Sequence, residues 1–343
     1  MSIAAVPRRS RYAGFRAYLK AIGTGERGRR ALSYDEARDA LRAILTEDAS
    51  PAQAAAFLVA MRIKGETPGE LAGMTAALRE RATRLEARTE RPLVACAGGY
   101  DGCVEAPSLS LACAVVAASA GAGVVVHCGG TLGPKYGVTP ADVLAALGGP
   151  ARPRAAESEA MLERSGVAVV HAGELLDGWE SVSVVRDEIG LRGPIHSAEK
   201  LVDWFGATRF VVGYAHTQYA ARLCGALEQL GAERACAVRG LEGSDVLRPG
   251  RPVAHMGGEP LDLPEQVGDR LRPAPGAEAA AALTRAVVAG DAERVVTGAV
   301  ALSAGLRLHA TGLAPTVLRG MATARAAVAD GRAQHALDAL LDA

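Results

Sequence analysis

The sequence predicts an α/β protein in which a small helical domain precedes a large domain built on a mainly parallel sheet. Three observations carry this. Successive capping signals, Ser33 with Glu36, Ser50 with Gln53 and Thr67 with Glu70, each open an amphipathic helical stretch. From Pro92 onward, short apolar runs alternate with helical ones, the pattern of βαβ units. One such unit, Leu93 to Gly148, carries a glycine-rich turn at the end of each strand.

In chain order, Tyr12 to Ile22 has helical spacing and stops near Gly23. The second helix carries Ala37, Leu41, Ile44 and Leu45 on one face, and the third carries Ala54, Phe57, Leu58 and Met61. The fourth turns Leu71, Met74, Leu78 and Leu85 inward, and Pro51 and Pro68 occupy first helical positions. Residues 12–88 therefore form a helical module that packs as a small bundle or against a second subunit. A segment near 172–192 is a candidate addition to it, residues 1–11 are a basic tail, and 89–343 form the α/β domain.

In that domain Leu93 to Ala97 reads as a strand, Ser108 to Ala120 as a helix, and Val124 to Val126 as the next strand. Thr139 and Pro140 start a helix to Leu147; residues 157–165 look helical, and Val167 to His171 is a buried strand. Trp179 to Arg192 has a mixed pattern. Arg209 to Gly213 and Arg234 to Arg239 are strands flanking a helix from His216 to Leu230, and the second ends in the loop GLEGSD, residues 240–245. Prolines, glycines and charges make 248–275 an irregular excursion or hairpin. Ala277 to Ala289, Ala292 to Leu308, Thr316 to Asp330 and Gln334 to Leu341 close the chain as helices.

An apolar fraction of 49% with only 4% aromatics predicts a core of Ala, Val and Leu. The most apolar stretch, Leu109 to Val126, is broken by Ser119, Gly121 and Gly123, so it is helix, turn and strand rather than a membrane span. The start, MSIAAVPRRSR, lacks the pattern of an export signal. The six cysteines lack CxxC spacing, as expected of reduced, buried residues in a cytoplasmic protein. A net charge of zero excludes a uniformly polyanion-coated surface. The opening is nevertheless basic: Arg8, Arg9, Arg11, Arg27, Arg29 and Arg30, with Tyr12, Phe15 and Tyr18 interleaved, are candidate nucleic-acid contacts. The same residues also suit a solvated helix face and terminus. The glycine loop, Gly98, Gly99 and Gly102, presents backbone N–H groups that suit phosphate, or is a tight turn alone, since GxGxxG spacing is absent.

The stretch LSYDEARDALRAILTEDASPAQAAAFLVAMRIKGETPGEL, Leu32 to Leu71, resembles the helical domain shared by anthranilate phosphoribosyltransferases and pyrimidine nucleoside phosphorylases, the glycosyltransferase family 3 superfamily. MRIKGETPxEL is its most specific part. The glycine loop, HxGxxxxxKxG from His127 to Gly137, VRDEIGLR from Val185 to Arg192, and GLEGSD follow in the family's order, so the likeness covers nearly the whole chain. It implies a nucleoside phosphorylase/phosphoribosyltransferase type of fold and a homodimer joined through the helical domain.

The motifs depart from that family at several points. Its GTGGDG loop reads AGGYDG, with Tyr100 inserted, and its NxST turn corresponds to SLSL, which keeps Ser108 and Ser110. KHGN becomes Val126, His127, Cys128 and Gly129, with Lys135 downstream, and the paired carboxylates DE become Asp245 and Val246. The HP motif has no match near Glu174 to Trp179; the arginine of VRxxLGxR is Arg186, and the asparagine of RTxFN is His196. In these departures the chain is similar to a divergent TrpD-like branch with a YDG loop, some of whose members bind nucleic acid. The opening of that branch, FxxYxKxIGxGxxGxRxL, matches Phe15 to Leu32.

The resemblance implies transfer of a (phospho)ribosyl group from phosphoribosyl pyrophosphate to an unidentified acceptor. Gly98, Gly99, Gly102, Ser108 and Ser110 would hold the diphosphate, Lys135 would neutralise it, and Asp101 or Asp245 would meet Mg²⁺, Asp245 being the retained metal carboxylate. His127 would be a switchable cation, a ribose contact or a structural residue; Arg186 would clamp an acidic acceptor or pair with Asp187 or Glu188. The alternative is a non-catalytic nucleic-acid binder on the same fold, and anthranilate transfer in tryptophan biosynthesis ranks third. The nucleic-acid alternative predicts that affinity for single-stranded DNA falls steeply with salt. Deleting residues 1–11 and changing Arg27, Arg29 and Arg30 to Ala would flatten the slope by about one unit per lost contact, read by anisotropy at several salt concentrations.

Overall fold

The computed structural model describes residues 13–130, 132–265, 268 and 270–343, so Arg8, Arg9 and Arg11 of the basic tail lie outside the described residues. Helices α1 (Phe15–Gly23), α2 (Tyr34–Leu45), α3 (Pro51–Lys64) and α4 (Pro68–Arg81) form the helical module. The capping boxes of α2, α3 and α4 are made by the pairs the sequence marks: each hydroxyl accepts from the N3 amide while the N3 side chain accepts from the cap amide. The predicted inward faces are buried, with Phe15 edge-on to Phe57 across α1 and α3 at 5.7 Å. Leu85 is buried too, but beyond the helix: α4 stops at Arg81, and the Leu85 amide donates to the Trp204 carbonyl at 2.8 Å in an extended run.

The large domain runs β1 (Leu93–Ala97), α5 (Ser110–Ala118), β2 (Gly123–Cys128), α6 (Pro140–Leu147), α7 (Ala155–Ser165) and β3 (Val167–His171). Then come α8 (Ala172–Leu175), α9 (Trp179–Ile189), α10 (Ile195–Ala198), β4 (Arg209–Tyr214), α11 (Tyr219–Gln229) and β5 (Arg234–Arg239). The short strands β6 (Ala254–Met256) and β7 (Glu259–Pro260) form an antiparallel hairpin inside the proline-rich excursion, and α12 (Ala277–Ala289), α13 (Arg294–Ala310), α14 (Val317–Ala329) and α15 (Arg332–Leu341) close the fold. The mixed stretch 179–192 proves to be α9, ended by Gly190 in the left-handed region. Its residues split between packing on α2 and α3 and exposure, which blurs their periodicity.

Among the described residues the sheet has seven strands in the order β3-β2-β1-β4-β5-β6-β7, parallel through β5. Alternation along the strands feeds two cores. Val124, Val126, Val167 and Val169 face α5 and the closing helices, while Val125, Ala168 and Val170 face the helical module. The chain leaves β1 for β2 and β3 on one side and returns as β4 and β5 on the other. The crevice beyond the C-terminal ends of β1 and β4 is therefore the topological switch point. All six cysteines are buried and none forms a disulfide, and among the described residues no helix is long and apolar enough to cross a membrane.

Glu70, the last charged residue of the MRIKGETPGEL stretch, is fully buried. Its carboxylate accepts from the Leu32 and Thr67 amides at 2.8 Å each and from Lys64 Nζ at 2.7 Å. Removing one partner of a buried pair leaves the other uncompensated, so Glu70→Ala should cost about 3 kcal/mol. Ser50→Ala, which loses only an exposed cap, should cost about 1 kcal/mol. Urea denaturation distinguishes the two.

Candidate active site

Three loops meet at the switch point because small residues let their backbones touch. A Cβ on Gly98 would lie 2.6 Å from the Ser244 Cα, so the loop after β1 rests directly on the loop after β5. Gly102 has φ +73°, and a Cβ there would lie 2.4 Å from the Gly137 carbonyl oxygen, in the loop after β2. Gly99 sits beside the Asp101 carboxylate and the Arg192 guanidinium. The sequence-marked loops are thus brought together, but most of their charged groups face each other.

Asp245, expected as the metal carboxylate, is instead a buried counter-ion. One oxygen accepts from Arg307 on α13 and the other from the Ser110 hydroxyl at the start of α5. Each Asp245 oxygen thus has a partner inside the fold, and the Ser110 hydroxyl is directed at Asp245. Ser108 is buried just ahead of α5. Asp101 is fully buried and held two-pronged by Arg192, with the Arg192 Nε 2.9 Å from Oδ2. Lys135, expected to neutralise a diphosphate, donates at 3.0 Å to the Glu242 carboxylate and at 3.2 Å to the Gly102 carbonyl.

Of the alternatives open for His127, the buried, hydrogen-bonded one matches its surroundings. The residue is 2% exposed, 2.5 Å from the Tyr100 hydroxyl through Nδ1, and edge-on to Tyr100 and Trp204. Burial, then the charge of Arg79, pushes its pKa down to about 3, so it is neutral at physiological pH. The neutral ring is part of the packing. The inserted Tyr100 explains this: its ring fills the space between His127 and Trp179, while its amide donates to Glu199 at 3.2 Å. Arg186 pairs with neither Asp187 nor Glu188 but with Glu199, at 2.7 Å, beneath the Trp179 ring. Its Nε and Nη2 are buried and have no hydrogen-bond partner; the same holds for Nε2 of His196. Of the basic arm, Arg27 is exposed and Arg29 half-buried, while Arg30 is paired with Glu36 at 2.6 Å.

Beside these loops lies a cleft of about 580 Å³, bounded by Arg62 of the helical module, the 190–200 segment, and Tyr214 to His216 after β4. Arg192 and Lys200 line it, and Lys200, hydrogen-bonded to the Gly213 carbonyl at 2.7 Å, is pushed down to about 8 by burial and then by Arg192. Sequence reasoning missed Arg62, Lys200 and the Asp101 partner Arg192 as site residues. The available signal was the charged pair Glu199–Lys200 between the apolar residues Ile195, Ala198, Leu201 and Val202.

Comparison with known proteins gives a consistent picture. The family model described as glycosyl transferase family, helical bundle domain, matches residues 16–82, and the one described as glycosyl transferase family, a/b domain, matches 95–334. An anthranilate phosphoribosyltransferase of Thermus thermophilus is 34% identical over 322 residues, covering 90% of this chain and 94% of the relative. One from Xanthomonas campestris is 32% identical over 327 residues, covering 90% and 92%. The crystal structure of a Thermus thermophilus anthranilate phosphoribosyltransferase superposes with a TM-score of 0.84 at 32% identity, covering 95% of this chain and 99% of that one. The Saccharomyces cerevisiae enzyme in complex with PRPP and Mg superposes at 0.81 with 16% identity, covering 96% of this chain and 97% of that one, and shares the fold.

The buried histidine makes stability pH-dependent. The unfolded chain protonates His127 near 6.5, whereas the folded chain refuses the proton down to about 3. Its stabilising contribution is therefore full above 6.5 and falls as pH drops toward 3, by about 1.4 kcal/mol per pH unit within that window. His171 and His196, which burial also holds low, add to the slope. Measured by denaturation from pH 7 to 4, His127→Asn should be less stable at pH 7 and lose stability with acid less steeply, by up to about one proton.

Proposed function

This chain belongs to the glycosyl transferase family built from a helical bundle and an a/b domain and is a phosphoribosyltransferase-type pentosyltransferase; from that premise we propose that it transfers phosphoribose from phosphoribosyl pyrophosphate to an aromatic amine bearing a carboxylate. Anthranilate is the first acceptor to test. Likeness to anthranilate enzymes over most of the chain moves this reading ahead of the unidentified acceptor that the divergent motifs favoured.

The observation that carries the acceptor is Arg186. With Nη1 committed to Glu199 and two buried donors unpartnered, it lines a small void with Leu58, Ile195 and His196, and that void shares Arg62, Arg192 and His196 with the larger cleft. That void has a volume of only about 10 Å³, no more than a water needs, so the acceptor's ring would lie in the adjoining cleft with its carboxylate directed at the open edge of the guanidinium. On the donor side, Arg62, Arg192 and Lys200 supply positive charge where a departing diphosphate gathers negative charge. The C1–O bond to diphosphate breaks as the acceptor nitrogen bonds to C1, and the amine proton leaves to solvent. The protein's part is to hold the two reactants in line.

Mg²⁺ belongs to this reading as a companion of the diphosphate, but the residues do not fit a directly held ion. Asp245 has both oxygens engaged, Asp101 is held by Arg192, and among the described residues no group of three or more His, Cys, Asp or Glu is placed to hold a metal ion. A homodimer through the helical module is part of the same proposal, as Ile63 and Val184 stand exposed on α3 and α9. The nucleic-acid alternative rests on the surface placement of Arg27 and Arg29.

Calorimetric titration with phosphoribosyl pyrophosphate and Mg²⁺ tests the donor, and fluorescence of anthranilate tests turnover. Arg186→Lys should raise the acceptor KM by about tenfold or more with donor affinity unchanged, because a point charge replaces a planar fork. Lys200→Met should weaken the donor by a similar factor, about tenfold. No heat at saturating donor would reject the reading.

A further inference from the structure

Beyond the glycine loop, the chain after β1 passes Val104, Glu105 and Ala106, and these three successive amides converge on one carboxylate. Glu242, from the loop after β5, accepts from the Val104 amide at 3.1 Å through Oε2, and from the Glu105 amide at 2.6 Å and the Ala106 amide through Oε1. Lys135 closes the third side, its Nζ 3.0 Å from Glu242 Oε2 and 3.0 Å from the Glu242 carbonyl. Consecutive backbone N–H groups facing an ammonium make an anion cradle, the arrangement that receives phosphoryl oxygens elsewhere in protein chemistry.

Two further features mark Glu242 as an occupant rather than a builder of this cradle. Its backbone lies at φ +49°, in the left-handed region that favours glycine, so the loop is bent to deliver the side chain. The cradle is also accessible: the Glu242 and Lys135 side chains are 20% and 21% exposed, and Val104 and Glu105 stand at the surface. Burial would raise the Glu242 carboxyl, but the Ala106 and Val104 amides and then Lys135 outweigh it and hold it below the usual range, so the resident group is an anion.

We propose that the Val104–Ala106 amides and Lys135 form a phosphoryl-binding site additional to the Arg62, Arg192 and Lys200 charges of the cleft, and that Glu242 is its built-in plug, an internal anion that a phosphoryl group must displace. Two anions cannot share three amides and one ammonium. The apparent affinity of the wild-type protein is therefore its intrinsic affinity reduced by the small fraction of molecules with the plug out. Neither the cradle nor the plug depends on the identity of the acceptor or on catalysis, and the test needs neither.

The test is calorimetric titration of the full chain with inorganic pyrophosphate, without phosphoribosyl pyrophosphate or acceptor. Glu242→Ala should bind pyrophosphate about tenfold or more tightly than wild type. Lys135→Met in the Glu242→Ala background should abolish that gain, because the emptied cradle then lacks its cation. Glu242→Gln, which keeps the shape and loses the charge, should fall between wild type and Glu242→Ala; it carries the test if the alanine variant melts before titration. Unchanged or weaker pyrophosphate binding in the folded Glu242 variants would overturn the proposal and leave Glu242 as a staple between loops. Failure of the transferase reading would appear separately, as absent turnover with the pyrophosphate pattern intact.

Discussion

A guanidinium with no solvent exposure must have its charge met, and Arg307 on α13 has it met by Asp245. Leaving such a charge alone in an apolar core costs several kcal/mol, about 3–5 on removal of its partner, so the position of Asp245 is not negotiable. The second Asp245 oxygen draws in Ser110 at the head of α5, and Arg307 Nη1 returns to the Ser303 carbonyl at 2.9 Å. Held in this way, the loop after β5 places Ser244 under Gly98 and carries Glu242 to the Val104–Ala106 amides. One buried ion pair thereby sets the floor on which the other two loops rest.

The same economy of charge runs through the whole region. Asp101 with Arg192, Arg186 with Glu199 and Lys135 with Glu242 each join different segments of the chain, and each uses groups that a phosphorylated ligand would also seek. The cost of parting each pair depends on how exposed it is: Lys135 and Glu242 touch solvent, whereas Arg307 and Asp245 do not. Arg186 differs from the rest in keeping two unpartnered donors after its ion pair is made. Its orientation is held by Glu199 and the Trp179 ring, so those donors are fixed in place before a ligand arrives.

Tyr100 shows how one inserted residue redirects a neighbourhood. A large ring entering the loop after β1 needs a place in the core, and it takes the one between His127 and Trp179. The histidine is then desolvated and hydrogen-bonded inward, so the position that reads as a mobile cation becomes part of the packing. The cleft's positive charge comes instead from Arg62 of the helical module and from Arg192 and Lys200 in the segment between α9 and β4.

Sequence alone determined the parts of this protein that depend on near neighbours. Ser33 with Glu36, Ser50 with Gln53 and Thr67 with Glu70 act over three residues and start their helices where the pattern places them. Leu93 to Ala97 and Val167 to His171 are strands because a short buried apolar run bounded by turn residues has few other uses. The glycine loops and their meeting at one end of the sheet were legible for the same reason, since βαβ order dictates which strand ends share a side. Only the tertiary structure decided what the charged side chains do. Asp245 meets Arg307 across 62 residues and Ser110 across 135, and Glu242 meets the Val104 amide across 138. A carboxylate binds whichever cation or amide the fold brings within reach, and no local pattern encodes that distance.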